Sequence, residues 1–161
     1  MKFEPGLSLA SRAKLADLAQ ESDRLGVKTF VLSTEGGAGR DAFFDAVRRS
    51  LPLDPPVMSS RSWEALLYSL WEGIYSLPEN QVVILWEDGD RFKMAAPEEY
   101  ETALSILADL VRQLADPVAT VGEPKSLLVY VSSNLTYRLS IRNWIGRQYS
   151  RVRCGAHCKR V

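Results

Sequence analysis

The chain has 161 residues, of which 46% are hydrophobic and 25% are charged, and its formal net charge is zero. These values indicate one globular domain whose core needs neither disulfides nor a metal ion. Both cysteines, Cys154 and Cys158, lie near the carboxyl terminus, which excludes a disulfide framework across the body and favours a reducing compartment. The apolar runs are too short for a signal sequence or a membrane span, so the sequence predicts a cytoplasmic protein with no membrane partner.

The zero net charge conceals two segments of opposite sign. Residues 1–133 hold 13 Lys and Arg against all 20 Asp and Glu, a charge of −7, whereas residues 134–161 hold seven Lys and Arg and no acid. An acidic body is suited to a basic partner surface, and a basic tail is suited to an acidic one. Three interpretations of the tail stay open: it binds nucleic acid, it folds back on the acidic body, or it is an addition without a function.

The first elements are predicted from helix-forming residues and short apolar runs. Residues 7–25 favour a helix capped by Gly26, and Lys28–Ser33 favours a short strand. A glycine-rich turn follows, but it lacks the Gly-Lys-Ser/Thr ending of a phosphate-binding loop, because Arg40 and Asp41 come after its last glycine. It is therefore predicted as a plain strand-to-helix turn.

Two helices are predicted next, separated by a Pro-rich loop. Asp41–Leu51 is the first of them, with a buried side made by Phe43, Phe44, Val47 and Leu51. The second covers residues 60–78, SRSWEALLYSLWEGIYSLP, and ends at a Leu-Pro stop. At 100° per residue its core-facing stripe consists of Trp63, Leu66, Leu67, Leu70 and Ile74.

The adjoining side of this second helix carries three aromatic residues among charges. Tyr and Trp dominate binding hot spots, so this side favours a role in partner binding. The alternative is that Trp71 and Tyr75 lie at the boundary of the core with only their polar tips in water. The residues of this side are Arg61, Glu64, Tyr68, Trp71, Glu72 and Tyr75.

The remaining elements complete a small parallel sheet. Gln81–Glu87 is predicted as a strand buried on both faces, and Asp88–Ala96 as a charged loop. A helix begins near Pro97, with a core stripe of Leu104, Leu107, Leu110, Val111 and Leu114, and Ser126–Ser132 is the last strand. The order predicts an α/β fold with a three-stranded parallel sheet packed with helices, behind an extra amino-terminal helix.

Residue types suited to catalysis are scarce. The single histidine, His157, lies in the basic tail, where it would lack the rigid positioning that catalysis needs. Together with Cys154 and Cys158 it supplies three zinc ligands, whereas a closed structural site has four. The sequence therefore predicts a protein that is not an enzyme and has no cofactor and no metal site.

From Lys28 to Ser133 the chain resembles the barstar family of intracellular inhibitors of secreted ribonucleases. The resemblance rests on the order of the elements and on SWEALLYSLWEGIYSLP, which is similar to the family's N-L/W-D-A-L-x-D-x-L helix followed by proline. VVILWE and LLVYVS are similar to two of its strands. The resemblance implies a barstar-like domain at 27–133, an amino-terminal helical extension at 1–26 and a basic tail at 134–161.

The family's interface residues carry over unevenly. Its helix Asn falls at Ser62, its first Asp at Glu64, and the Trp before its dominant Asp at Leu67. The dominant Asp itself falls at Tyr68, and a partner-facing acid of the last helix falls near Asp109. Because the central carboxylate is replaced, the resemblance implies a partner other than the family's usual ribonuclease.

The negative charge in the middle of the chain is consistent with a protein that inhibits an enzyme with a basic active site. Between residues 61 and 101 nine acids stand against three basic residues, although a solvated charged loop is an equally good interpretation of part of this run. The predicted function is an inhibitor or immunity-type protein that blocks the basic active site of a ribonuclease or nuclease toxin. The alternatives are a nucleic-acid-binding accessory protein acting through the tail and an interaction module without an enzyme target. The predicted partner-binding residues are Ser62, Glu64, Tyr68, Trp71, Glu72 and Asp109.

Overall fold

A four-stranded parallel sheet organises residues 5–134, which this computed structural model describes. The elements are β1 (Gly6–Ala10), α1 (Arg12–Leu25), β2 (Lys28–Leu32), α2 (Gly39–Ser50), α3 (Trp63–Tyr75), β3 (Gln81–Trp86), α4 (Gly89–Ala95), α5 (Pro97–Ala115) and β4 (Ser126–Ser132). The strands are hydrogen-bonded in the order β1-β4-β3-β2, and all three pairings are parallel. The predicted α/β class is confirmed.

The strand β1 corrects the predicted three-stranded sheet. The sequence predicts a helix from residue 7, but Gly6–Ala10 pairs with β4 along its whole length. The helix α1 begins later because the Ser11 hydroxyl oxygen accepts a hydrogen bond from the Lys14 N–H, 3.2 Å away, and caps its first turn. Its end is as predicted, since Gly26 adopts the left-handed conformation with φ 66°.

Both faces of the sheet are covered by helices. On one face, α1 packs Leu15 and Leu18 against Val83, Leu85 and Leu128. On the other face, α2, α3 and α5 cover a larger core, to which the strands contribute Leu32, Val82, Ile84, Trp86, Leu127, Val129 and Val131. Successive side chains of β3 thus enter two different cores, which accounts for its continuous apolar sequence and confirms that it is buried on both faces.

The segment after β3 is a helix and not the predicted charged loop. Gly89–Ala95 forms the short helix α4, and the side chains of Asp88 and Asp90 point inward, with 7% and 8% exposure. The helix lies close to β4, because a Cβ placed on Gly89 would be 2.4 Å from a methyl carbon of Val131. Only glycine allows this close approach.

The other predicted helices and strands are present, although α3 is shorter at both ends than the helix predicted for residues 60–78. The buried side of α2 is made by Phe43, Phe44, Val47 and Leu51, as predicted, and β4 has the predicted bounds. In α5, Leu107, Leu110 and Leu114 are buried while Leu104 and Val111 are partly buried. Among residues 5–134, no helix has both the length and the apolar character needed to cross a membrane.

Candidate partner-binding face on helix α3

Helix α3 is fixed by its cap and by its apolar side. It begins at Trp63 because the Ser62 hydroxyl oxygen accepts a hydrogen bond from the Ala65 N–H, 3.1 Å away. Its inward residues Leu66, Leu70 and Ile74 are fully buried, which confirms the centre of the predicted stripe. Leu67 and Trp63 are partly buried against the same core.

The loop that precedes α3 is fastened along one flank of the helix. The Asp54 N–H donates to the carbonyl oxygen of Ser69 at 3.0 Å, and the Ser69 hydroxyl donates to the carbonyl oxygen of Pro55. Further along the helix, Gly73 lets Pro52 approach so closely that a Cβ there would lie 2.3 Å from the Pro52 oxygen. The loop and the helix therefore present one continuous surface.

Replacing Gly73 with alanine is expected to destabilise the protein, although alanine is the better helix former by about 1 kcal/mol. The added carbon would meet backbone atoms of Pro52, at 2.3 and 2.6 Å, which cannot rotate away. Overpacking of this kind costs about 1–3 kcal/mol, so the free energy of unfolding should fall by up to about 2 kcal/mol in denaturant titrations.

The matched control for that substitution is Ala65→Gly, at an exposed position of the same helix. It should lower the free energy of unfolding by the ordinary alanine-to-glycine difference of about 1 kcal/mol. If Gly73→Ala instead raises stability by a similar amount, the loop does not lie against the helix as described.

Two arginines of α2 hold the start of α3 in place. The Arg48 guanidinium donates to the Val57 carbonyl oxygen at 2.7 Å and to the Ser60 hydroxyl at 3.3 Å. The Arg40 guanidinium donates to the carbonyl oxygen of Arg61 at 3.4 Å. It lies 5.6 Å from the ring centre of Trp63 and 3.6 Å from a carboxylate oxygen of Glu99 in the first turn of α5. Arg40 thus joins the amino-terminal ends of three helices.

The other flank of α3 meets the loop that follows α5. The Tyr75 hydroxyl donates to the carbonyl oxygen of Thr120 at 2.9 Å, and the Trp71 and Tyr75 rings stack with centres 4.7 Å apart. The Lys125 ammonium lies 5.8 Å from the Tyr75 ring centre and donates to the carbonyl oxygens of Leu77 and Glu79. Both aromatic residues are partly buried, so the interpretation that places them at the boundary of the core describes Tyr75 well.

The centre of the exposed side of α3 is Tyr68. Its side chain is 59% exposed, Glu64 one turn before it is exposed, and Glu72 one turn after it is half-buried. Trp71 lies at the border of this side, where its ring stacks on that of Tyr75. We call Glu64, Tyr68, Trp71 and Glu72 the outward face of α3.

Two predicted site residues are engaged in local contacts. The Ser62 hydroxyl serves as the cap of α3, and the Asp109 carboxylate accepts a hydrogen bond at 3.0 Å from Arg112, one turn further along α5. The sequence did not identify Arg40 and Arg48 as supports of this face, because their partners lie in other elements. Nor did it identify Met58, which is 90% exposed on the adjoining loop.

The acidic run between residues 61 and 101 is less uniform than its sequence suggests. Asp90 is buried and accepts hydrogen bonds from Arg12, at 3.0 and 3.3 Å, and from the Ser132 hydroxyl at 3.0 Å. Asp88 is buried as well, so seven of the nine acids remain to contribute to the surface. The interpretation of part of this run as a solvated charged loop is wrong for both aspartates.

Asp88 holds the glycine-rich turn between β2 and α2. Its carboxylate accepts hydrogen bonds from the N–H and hydroxyl of Thr34, at 3.0 and 2.8 Å, from the Trp86 indole at 3.1 Å and from the Ser33 hydroxyl at 3.2 Å. Burial by itself raises the pKa of Asp88, but the hydrogen bonds from Thr34, Gly36 and Ser33 outweigh it, so the pKa lies below its ordinary value. The turn is a strand-to-helix connection, as predicted. The Asp88 carboxylate accepts the hydrogen bonds that Ser33 and Thr34 donate at its start.

The possible zinc site and the possible nucleic-acid-binding role were both assigned to the basic tail, residues 134–161. Within residues 5–134, no three His, Cys, Asp or Glu side chains are grouped so as to hold a metal ion. Cys154, His157 and Cys158 lie outside the described residues. So do the aromatic and basic residues on which the nucleic-acid interpretation depends.

The α/β domain has helices on both faces of its sheet, and α3 is held by contacts at its start and along both flanks. A family model described as Barstar (barnase inhibitor) matches residues 27–126, more than half of the chain. The chain therefore belongs to the barstar family, which is a family of inhibitors and not of enzymes. Neither the curated proteins nor the solved structures contain a match to the chain. The matched region begins just before β2 and reaches the first residue of β4, so β1 and α1 lie outside it.

Proposed function

We propose that this protein is a barstar-type inhibitor whose outward face of α3 enters the basic active site of a ribonuclease or nuclease toxin. The observation that carries the proposal is the position of Tyr68, 59% exposed between Glu64 and Glu72 on a helix held at both flanks. Nucleases bind anionic backbones with Lys and Arg, and an acidic face is complementary to such a cleft.

The rigidity of the face favours tight binding. The preceding loop is tied to α3 by the Asp54 and Ser69 hydrogen bonds, and Arg40 ties the start of the helix to α2 and α5. A surface that is already ordered loses less conformational entropy on association, so more of its contact energy appears as affinity.

The residues of the outward face contribute different interactions to the proposed contact. Tyr68 supplies a large exposed ring with a hydrogen-bonding tip, which suits the centre of an interface. Glu64 and Glu72 lie on either side of it, and neither forms an ion pair within residues 5–134. Both carboxylates therefore stay available to Lys or Arg of a partner. In this proposal Ser62 and Asp109 lie at the edge of the contact.

Charge reversal at Glu64 combined with Tyr68→Ala is expected to abolish partner capture. The test is a pull-down from native cytosol with this protein as bait, followed by mass spectrometry and an assay of RNA hydrolysis on the eluate. The wild-type bait should capture a ribonuclease that is silent until the complex is dissociated. The double variant should not capture it, and its thermal transition should change little, because both side chains are exposed.

A matched control is Asp17→Lys, a charge reversal at an exposed position of α1, on the opposite face of the sheet. It changes the net charge as Glu64→Lys does and should leave capture intact. If the Glu64 and Tyr68 double variant captures the same ribonuclease as well as the wild type does, the interface lies elsewhere.

A further inference from the structure

We propose that the chain's own basic segment, residues 135–161, binds to the outward face of α3 and competes there with the partner. The competition rests on the proposed function, whereas the contact within the chain does not. With such a contact, the basic segment would cover the outward face of α3 in the free protein until a more strongly binding basic surface displaces it.

Charge complementarity is the first observation in favour of this contact. Residues 134–161 carry seven Lys and Arg and no acid, with Tyr137, Trp144 and Tyr149 among them. The outward face offers Glu64 and Glu72 without an ion pair in the part of the chain that the structure describes. An acidic surface with an aromatic centre attracts arginine both by charge and by cation–π contact.

Tyr68 distinguishes this face from other acidic parts of the surface. Seven large hydrophobic side chains are exposed among residues 5–134, and Tyr68 is the aromatic one. The acids of α1 lie on the opposite face of the sheet, and Glu21 there is already paired with Arg24 at 2.6 Å. The combination of free carboxylates and an exposed ring is therefore found at α3.

The point where the basic segment leaves the domain is the second observation. β4 ends at Ser132, whose hydroxyl oxygen accepts a hydrogen bond from the Asp90 N–H at 3.2 Å, at the carboxyl edge of the parallel sheet. Helices α2 and α5 begin at that edge, and Arg40 at the start of α2 contacts Glu99 and the carbonyl oxygen of Arg61. The segment thus departs from the same edge at which α3 begins.

The length of the segment is sufficient for it to follow α3. A chain from 135 to 161 spans about 90 Å when fully extended and about 40 Å as a continuous helix. Helix α3 has 13 residues and is about 20 Å long. Both lengths exceed that of α3, so the segment is long enough to follow the helix in either of these two conformations.

The test uses the full chain and its two natural cysteines, Cys154 and Cys158, which both lie in the segment. A nitroxide attached to them broadens the NMR signals of amides that come close to it. At low ionic strength we expect strong broadening at Glu64, Tyr68 and Glu72 and weak broadening along α1. At about 0.5 M salt, where the Debye length is only a few ångströms, the selective broadening should disappear.

Paired charge reversals in the labelled chain identify the surface involved. Glu64→Lys with Glu72→Lys should remove the selective broadening, whereas Asp17→Lys with Asp23→Lys on α1 should leave it in place. The amide spectra also report whether each variant is folded. Broadening that is even over the whole surface, is centred on α1, or persists in the α3 variant would overturn the proposal.

Competition is measured separately, with a variant in which the seven Lys and Arg of residues 134–161 are replaced by Gln. This variant should bind barnase more tightly than the wild type does, and absence of binding by both forms would count against the competition. Equal affinity of the two forms would overturn the competition. Because the relaxation experiment needs no partner, failure of the contact and failure of the proposed inhibition are distinguishable.

Discussion

Replacement of Asp88 with alanine is expected to lower the free energy of unfolding by about 3–5 kcal/mol, more than any substitution at the surface. The carboxylate accepts four hydrogen bonds within 3.2 Å, from Ser33, Thr34 and Trp86. Its removal leaves these donors, three of which are buried, without their acceptor. Urea titration measures the effect as a fall in the midpoint of unfolding.

The control for this substitution is the neighbouring residue Glu87, which is exposed. Glu87→Ala should change the free energy of unfolding by no more than about 0.5 kcal/mol. A loss below about 1 kcal/mol in Asp88→Ala would mean that the network is solvated or easily rearranged, since each orphaned donor alone costs about that much.

Asp88 also predicts how stability depends on pH. Its pKa in the folded protein is lowered below the ordinary value of 3.8 by hydrogen bonds that outweigh the effect of burial. The stabilisation is therefore complete above the ordinary pKa and is lost as the pH falls through the folded one. In Asp88→Ala the acid side of the stability profile should be shallower. Asp90, whose pKa is lowered by hydrogen bonds from Arg12 and Ser132 against the effect of burial, contributes in the same direction.

Tyr68→Asp is expected to raise the affinity for barnase by at least about tenfold, or about 1.4 kcal/mol. Tyr68 occupies the position at which the resemblance to the barstar family places its dominant aspartate. A carboxylate desolvated opposite Arg and Lys contributes more to such an interface than a neutral ring does. Titration calorimetry with barnase, at one fixed salt concentration, measures the change.

Tyr68→Asn is the matched control, because it has the size of aspartate without the charge. The exposure of Tyr68 means that both variants should fold as the wild type does. If Asn and Asp raise the affinity equally, the gain comes from removing the bulky ring. If neither raises it, the outward face of α3 does not meet the same site that the family's inhibitors occupy.

Most of the fold could be predicted because its signals are local. The apolar run of β3 is continuous, and the apolar stripes of α2, α3 and α5 repeat about every 3.6 residues, so each pattern lies within a single element. Strand β1 was missed because its five residues, GLSLA, are followed directly by helix-forming residues. The strand that it pairs with, β4, begins more than a hundred residues later.

Burial of Asp88 and Asp90 has no local signal. Their partners lie far away along the chain: Thr34 is 54 residues from Asp88, and Arg12 and Ser132 are 78 and 42 residues from Asp90. In sequence, EDGDRFK has the composition of a solvated loop. Only the folded chain brings the donors to the carboxylates, so a charge pattern alone predicted the wrong environment.

In the candidate site, too, features with a local sequence signal could be predicted, whereas features that depend on distant contacts could not. Helical periodicity places Tyr68 on the side that adjoins the core stripe, and the structure has it exposed. Periodicity does not show that the Ser62 hydroxyl is engaged as a cap, nor that Arg40 ties α3 to its neighbours, because those facts depend on tertiary contacts. The role of the outward face in binding stays a proposal.

The strand β1 has a consequence for any shortened form of this protein. A fragment that begins at residue 27, where the family match begins, would leave one side of β4 without its hydrogen-bonded neighbour. An unpaired strand with the sequence SLLVYVS is a template for pairing with a second copy of itself. The first elements of the chain thus cover the edge of β4, and a fragment limited to the region matched by the family model is expected to aggregate more readily than the full chain.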